Sequence, residues 1–252
     1  MTVLIGINCV DGVVIGSDSS ATSGTGSGAG IIRTIEQPVT KVFVVGNDCI
    51  FAGTGEVGLG QRCMRQIEKV LSFPAIQRDK TDPIEIAKTI TAKSVADFVE
   101  TGVRPGQFGC LVAFPHKQNS ELCEFSAVDL QPELKRDNRF WFVSMGSGQL
   151  VTDPFLGFMR RVFWPNSQPT VTEAVFLTYW ALRHAIDLNA GGVNGPMQIA
   201  TLTRDNGIWK SRLLLDGELN EHEENCDAAE AHLAGFRQTL NTPELVPPSP
   251  PS

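Results

Sequence analysis

The sequence predicts an α+β domain built in layers, with three blocks of antiparallel strands and a pair of helices between successive blocks. Three observations predict it. Short β-branched and aromatic runs come in couples separated by turn residues. Two pairs of apolar-periodic segments read as helices, the second member of each pair opening on a capping residue. A chain of 252 residues, 42% hydrophobic and 19% charged, is enough for one sizeable domain with a filled core.

In chain order, residues 3–7 and 13–15 flank Asp11-Gly12, a pair that readily takes positive φ in a tight turn, so the chain opens with a β-hairpin. Apolar character begins directly after Met1, without a charged n-region or a long h-region, so the expectation is that no signal peptide is present. Residues 23–30 are glycine-rich. They lack the Gly-Lys-Ser/Thr ending of a phosphate-binding loop and open no helix, so a mobile connection is expected. Residues 41–45 and 49–52 give a second hairpin around Gly46-Asn47-Asp48. Next, Gly53-Thr-Gly-Glu-Val-Gly58 matches Gly-x-Gly-x-x-Gly in form. It follows two hairpins, and a polar loop (73–80) rather than a parallel strand comes after its helix, which argues against a dinucleotide site.

Helices are expected from 58 to about 71 and from 82 to about 101, the second with Asp82 as N-cap, Pro83 at the first helical position and Glu85 at the third. Strands follow at 108–114, 122–128 and 140–145. A second helix pair spans 150–164 and 170–189. Its second member opens on the capping box Thr170-Val-Thr-Glu173 and ends at Gly191-Gly192. Residues 197–202 and 209–214 form the last hairpin around Asn206-Gly207. From Asp216 the chain is acidic and helical, with Cys226, Ala229, Leu233, Phe236 and Leu240 in one apolar stripe suited to packing on the same domain or on a neighbouring subunit. The expected organisation is a domain over 1–215, a helical extension over 216–242 and a proline-rich disordered tail over 243–252.

A net charge of -7 argues against nucleic acid or an anionic membrane surface as the main partner, since no basic cluster would release counterions. Six cysteines (9, 49, 63, 110, 123 and 226) show no Cys-x-x-Cys and sit in apolar runs, as reduced buried thiols do. The four histidines (116, 184, 222 and 232) have no metal-ligand spacing, so neither metal nor other cofactor is expected. No apolar run is long enough to span a bilayer, and a cytoplasmic location is the expectation.

Thr2 is the candidate nucleophile, although threonine is also a common second residue. A small second residue allows the initiator Met to be trimmed, and a terminal threonine then holds nucleophile and base together, because an α-amine with a reference pKa of roughly 7.7 to 8.0 can accept the hydroxyl proton. Thr2, the hairpin and the segment from Gly16 through Asp18 to Gly24 resemble the start of a mature proteasome β-subunit, and HslV-type bacterial peptidases are similar. The resemblance, strongest to bacterial proteasome homologues, covers residues 2–214. It implies the N-terminal-nucleophile hydrolase fold, a four-layer αββα sandwich of antiparallel sheets.

Residue by residue, the resemblance implies a catalytic set. Asp18 and Lys41 match the aspartate and lysine beside the threonine, with extra residues between them in the glycine-rich stretch. Gly55 matches the glycine whose N–H receives the oxyanion, and Gly53 the floor of the first specificity pocket, which would then be roomy. Gly146-Ser147-Gly148 resembles the family's glycine-serine-glycine, with Ser147 on the terminal amine. Met145 in the first glycine place disfavours a Gly-x-Ser-x-Gly nucleophile elbow. Asp187 and Gly191-Gly192 match a further segment, in which Ala190 replaces the family's serine. Thr22 would bind an extended substrate by β-addition.

The implied activity is a threonine endopeptidase acting on protein or peptide substrates within a homo-oligomeric ring, with an ATP-dependent unfoldase or activator as a possible partner. The competing readings are a catalytically silent ring or scaffold protein, an amidase of the same nucleophile class, and a nucleotide-binding module.

Overall fold

The computed structural model describes residues 2–26, 31–72, 78–103, 106–136, 140–188 and 192–240, with the side chains of 21–37 outside that description. In order, the strands are β1 (Val3–Asn8), β2 (Gly12–Ser17), β3 (Ser20–Gly26), β4 (Ile31–Pro38), β5 (Val42–Val45) and β6 (Cys49–Gly55). Helices α1 (Val57–Leu71) and α2 (Pro83–Glu100) precede β7 (Phe108–His116), β8 (Asn119–Phe125), β9 (Pro132–Leu134) and β10 (Phe142–Gly146). Then come α3 (Gln149–Phe163), α4 (Val171–Asp187), β11 (Gln198–Asp205), β12 (Ile208–Leu213) and α5 (Asp216–Thr239).

Two antiparallel five-stranded sheets result, in the orders β10-β1-β2-β11-β12 and β5-β6-β7-β8-β9, with β3 and β4 as a separate ribbon. Side chains alternate across each strand, so the period-2 pattern sorts residues between layers. Along β1, Val3, Ile5 and Ile7 join Leu156, Leu177 and Trp180 of α3 and α4. Leu4 points the other way, into a middle layer with Ile15, Ile50, Leu111 and Ala113. Along β7, Cys110, Val112 and Phe114 face Ile67 and Ile90 of α1 and α2. The layers are therefore helix, sheet, sheet, helix, the αββα sandwich that the sequence resemblance implies. Strands buried on both faces read as nearly continuous apolar runs.

The caps form as the sequence directs. Asp82 accepts a hydrogen bond from Ile84 N at 3.0 Å, and Thr170 and Glu173 make the reciprocal capping box. Other details differ. In the first hairpin Cys9 N donates to Gly12 O, so Val10-Asp11 forms the turn and Gly12 begins β2 without positive φ. The glycine-rich stretch is paired backbone as far as Gly26, because β4 supplies a partner strand that its mixed polar sequence does not advertise; 27–30 lie outside the described residues. The three-residue β9 is too short to leave a pattern. Gly53-Thr-Gly55 closes β6 inside an antiparallel sheet, which is not the βαβ setting of a dinucleotide site.

The stripe on α5 splits. Leu219 and Cys226 are buried against the domain, and Trp180 Nε1 donates to Glu230 at 2.9 Å, whereas Leu233, Phe236 and Leu240 stay exposed. All six cysteines are free and buried. Among the described residues no helix is long and apolar enough to cross a membrane. The tail, 243–252, lies outside the described residues.

Candidate active site

Strand register brings the site together. Val3 is opposite Gly146 and Leu4 is opposite Ser17, so Thr2, immediately before β1, lies between the end of β2, which delivers Asp18, and the end of β10, which delivers Ser147. Gly146 has φ +91°, and a Cβ there would stand 2.2 Å from Thr2 O, so only glycine lets the turn from β10 into α3 lie against the first strand. Gly148 N then donates to Thr2 O at 3.2 Å.

Asp18 is wholly buried and its carboxylate is surrounded by donors. Oδ1 accepts from Val3 N at 2.9 Å and from Lys41 Nζ at 2.8 Å, and Oδ2 accepts from Ser20 N at 3.0 Å. Lys41 is 7% exposed. An ion pair taken out of water loses hydration worth several kcal/mol per ion, so it persists only where geometry is close and the remaining lone pairs are satisfied. Both conditions hold here. The result is a fixed cation beside Thr2 with its counter-ion behind it.

Thr2 N lies 3.2 Å from Ser147 Oγ, to which it donates, and Ser147 Oγ is 3.4 Å from Thr2 O. While Met1 is attached, Thr2 N is a peptide nitrogen. Removal of Met1 turns the same atom into the α-amine, with the Ser147 hydroxyl already beside it.

Thr2 and Lys41 share a pocket of about 230 Å³ with Gly53 and Gly55. Gly55, at φ +108°, has Gln107 O only 2.2 Å from where a Cβ would be, so the end of β6 can turn there only with glycine. The space left by the missing side chain of Gly53 is already taken, since a Cβ would meet the Phe108 ring at 2.8 Å. Phe108 stacks on Phe51, with centroids 6.4 Å apart. The pocket expected to be roomy is therefore bounded by aromatic rings, with Phe43 and Met64 completing its apolar wall.

Two expected residues stand apart. Asp187 ends α4 with 66% of its side chain exposed, and its carboxylate faces Arg183 Nε at 3.8 Å rather than the Thr2–Ser147 pair. Thr22 lies in β3 opposite Glu36, but its side chain is outside the described residues, as are Ala190 and Gly191. Conversely, sequence reasoning passed over Phe108, which reads only as a strand residue, and Gln198, whose amide contacts the backbone of residues 39–42 across 156 or more positions in the chain.

Compared with known families, the chain matches the model described as proteasome subunit over residues 2–197. No curated protein matches it.

Proposed function

This chain belongs to the proteasome subunit family, and from that premise we propose that it is a threonine-type endopeptidase whose nucleophile is Thr2 after loss of Met1. The observation that supports this most is the arrangement around one residue: Ser147 Oγ stands at Thr2 N, and Lys41, held by the buried Asp18, lines the same pocket as Thr2.

In the proposed reaction Thr2 Oγ attacks the scissile carbonyl carbon while its proton passes to the α-amine. The carbonyl oxygen becomes an oxyanion, which the Gly55 N–H receives; one pre-placed donor of this kind contributes about 3 to 4 kcal/mol to transition-state stabilisation. The intermediate collapses as the ammonium returns its proton to the leaving amine, which leaves an ester on Thr2. Water, deprotonated by the amine, then hydrolyses that ester and restores the hydroxyl. The Lys41 ammonium disfavours protonation of the neighbouring amine and favours ionisation of the hydroxyl, and Asp18 keeps Lys41 charged and oriented. Asp187, turned to Arg183, takes no part in this scheme.

The walls of the pocket suit an apolar substrate side chain, because Phe43, Phe51, Phe108 and Met64 offer it no hydrogen bond. An extended peptide would pair with the backbone at Thr22. By family analogy the subunits assemble in a ring in the cytoplasm, fed by an unfoldase or activator.

Intact mass and N-terminal sequencing, followed by incubation with a peptide epoxyketone that needs both a hydroxyl and a free α-amine, test the proposal. The expected result is a start at Thr2 and one covalent adduct, lost in Thr2→Ala. Retained Met1 with no adduct would refute it in favour of a silent ring or scaffold protein. Hydrolysis of a single small amide, without cleavage of a peptide mixture, would favour the amidase.

A further inference from the structure

We propose that Gln198 is a positioning residue for Lys41, holding the stretch of backbone that carries it as a neighbouring strand would. The proposal rests on the reading of Lys41 as the cation that tunes the nucleophile.

The geometry has three parts. Strand β5 lies at the edge of its sheet, and residues 39–41, which lead into it, belong to no strand. Gln198 Oε1 accepts from Lys41 N at 2.8 Å and from Val42 N at 3.1 Å, while Nε2 donates to Val39 O at 2.7 Å. A primary amide carries both a carbonyl acceptor with two lone pairs and an N–H donor, the complement of a peptide group, so one side chain satisfies three backbone groups that would otherwise lack a ladder.

Gln198 is itself fixed. It is the first residue of β11 and pairs in register with Ser17, the residue before Asp18. One side chain therefore references the backbone of Lys41 to the strand that ends at its counter-ion. On the opposite side Val39 N donates to Ser19 O at 2.8 Å, just beyond Asp18. Lysine has four methylenes and many rotamers, so the 2.8 Å contact of its Nζ with Asp18 depends on where its Cα is held. Gln198 and Ser19 hold it.

The chemistry of the amide makes the test specific. Gln198→Met keeps the approximate shape and removes all three hydrogen bonds; Gln198→Glu keeps the acceptors for Lys41 N and Val42 N but cannot donate to Val39 O. In the full-length protein, epoxyketone inactivation is split into its maximal rate and its half-saturating concentration. Lys41 exposure is read separately, by mass mapping after brief treatment with an acetylating N-hydroxysuccinimide ester. In Gln198→Met the maximal rate should fall about tenfold or more, with the half-saturating concentration within about twofold, because Phe43, Phe51, Phe108 and Met64 of the pocket wall make no bond to Gln198. Acetylation of Lys41 should rise several-fold, and Gln198→Glu should fall between Gln198→Met and the parent on both readouts.

Unchanged maximal rate and unchanged Lys41 acetylation in folded Gln198→Met would overturn the proposal. If the parent protein does not react with the epoxyketone, the peptidase reading fails, and Lys41 acetylation alone decides whether Gln198 positions the lysine. If Gln198→Met does not fold, Gln198→Glu decides by the same two readouts, and parent-like values in it overturn the proposal.

Discussion

Replacing Asp18 by asparagine removes one charge from a site that holds a second charge out of water. Lys41 is 7% exposed, and Asp18 Oδ1 is 2.8 Å from its Nζ. Leaving one partner of a buried pair uncompensated costs about 3 to 5 kcal/mol. Asparagine also has one acceptor oxygen where Asp18 uses two, one for Val3 N and one for Ser20 N. A backbone donor thus loses its acceptor and adds about 1 kcal/mol. The expected destabilisation is about 4 to 6 kcal/mol, a large share of the roughly 5 to 15 kcal/mol that keeps a domain folded.

The assay is urea unfolding followed by tryptophan fluorescence, with Asp18→Asn, Lys41→Met and the double variant measured together. Lys41→Met should lose less than Asp18→Asn, because the carboxylate keeps the Val3 and Ser20 N–H donors. The double variant should be more stable than Asp18→Asn alone, since it removes the stranded ammonium. A loss under about 1 kcal/mol for Asp18→Asn, or a double variant as unstable as the sum of the single ones, would refute the argument that the pair is a desolvated, mutually dependent unit.

Three further outcomes follow from particular residues. Ser147→Ala removes the hydroxyl 3.2 Å from Thr2 N, and epoxyketone inactivation should slow about tenfold while the urea midpoint barely moves. Gly146→Ala drives a methyl group to 2.2 Å from Thr2 O at φ +91°, so it should cost about 3 kcal/mol or more in urea and abolish inactivation with it. Burial lowers the pKa of His222 below its ordinary value, against a smaller opposing effect of Glu221. The unfolded chain therefore takes up a proton near pH 6.5 that the folded chain resists. Stability contributed by the neutral ring is full above that pH and declines as pH falls below it. Hydrogen exchange in α5 should accelerate from pH 7 to pH 5.5, after correction for intrinsic rates, and His222→Leu should flatten the change.

Most elements and their order are legible in the chain alone, β4 and β9 excepted. Local rules suffice where the cause is local: Asp82-Pro83 and Thr170…Glu173 start helices because their side chains satisfy N–H groups within three residues, and the apolar runs at 3–7 and 108–114 mark strands because both faces are buried. The resemblance also named Thr2, Asp18, Lys41, Gly55 and Ser147, and the fold brings the acid, the lysine and the serine around the threonine. The tertiary structure decided what depends on contacts between distant segments. Gly53 was expected to leave space, but Phe108, on the neighbouring strand, fills it. Asp187 was expected at the amine, but it is the exposed last residue of its helix and faces Arg183. Gln198 carried no signal at all, because an amide that replaces a neighbouring strand is recognisable only once that strand's vacancy exists in three dimensions. Periodicity and capping report free energies settled within a few residues, whereas the shape of a pocket and the partner of a side chain are fixed only when the sheets pack.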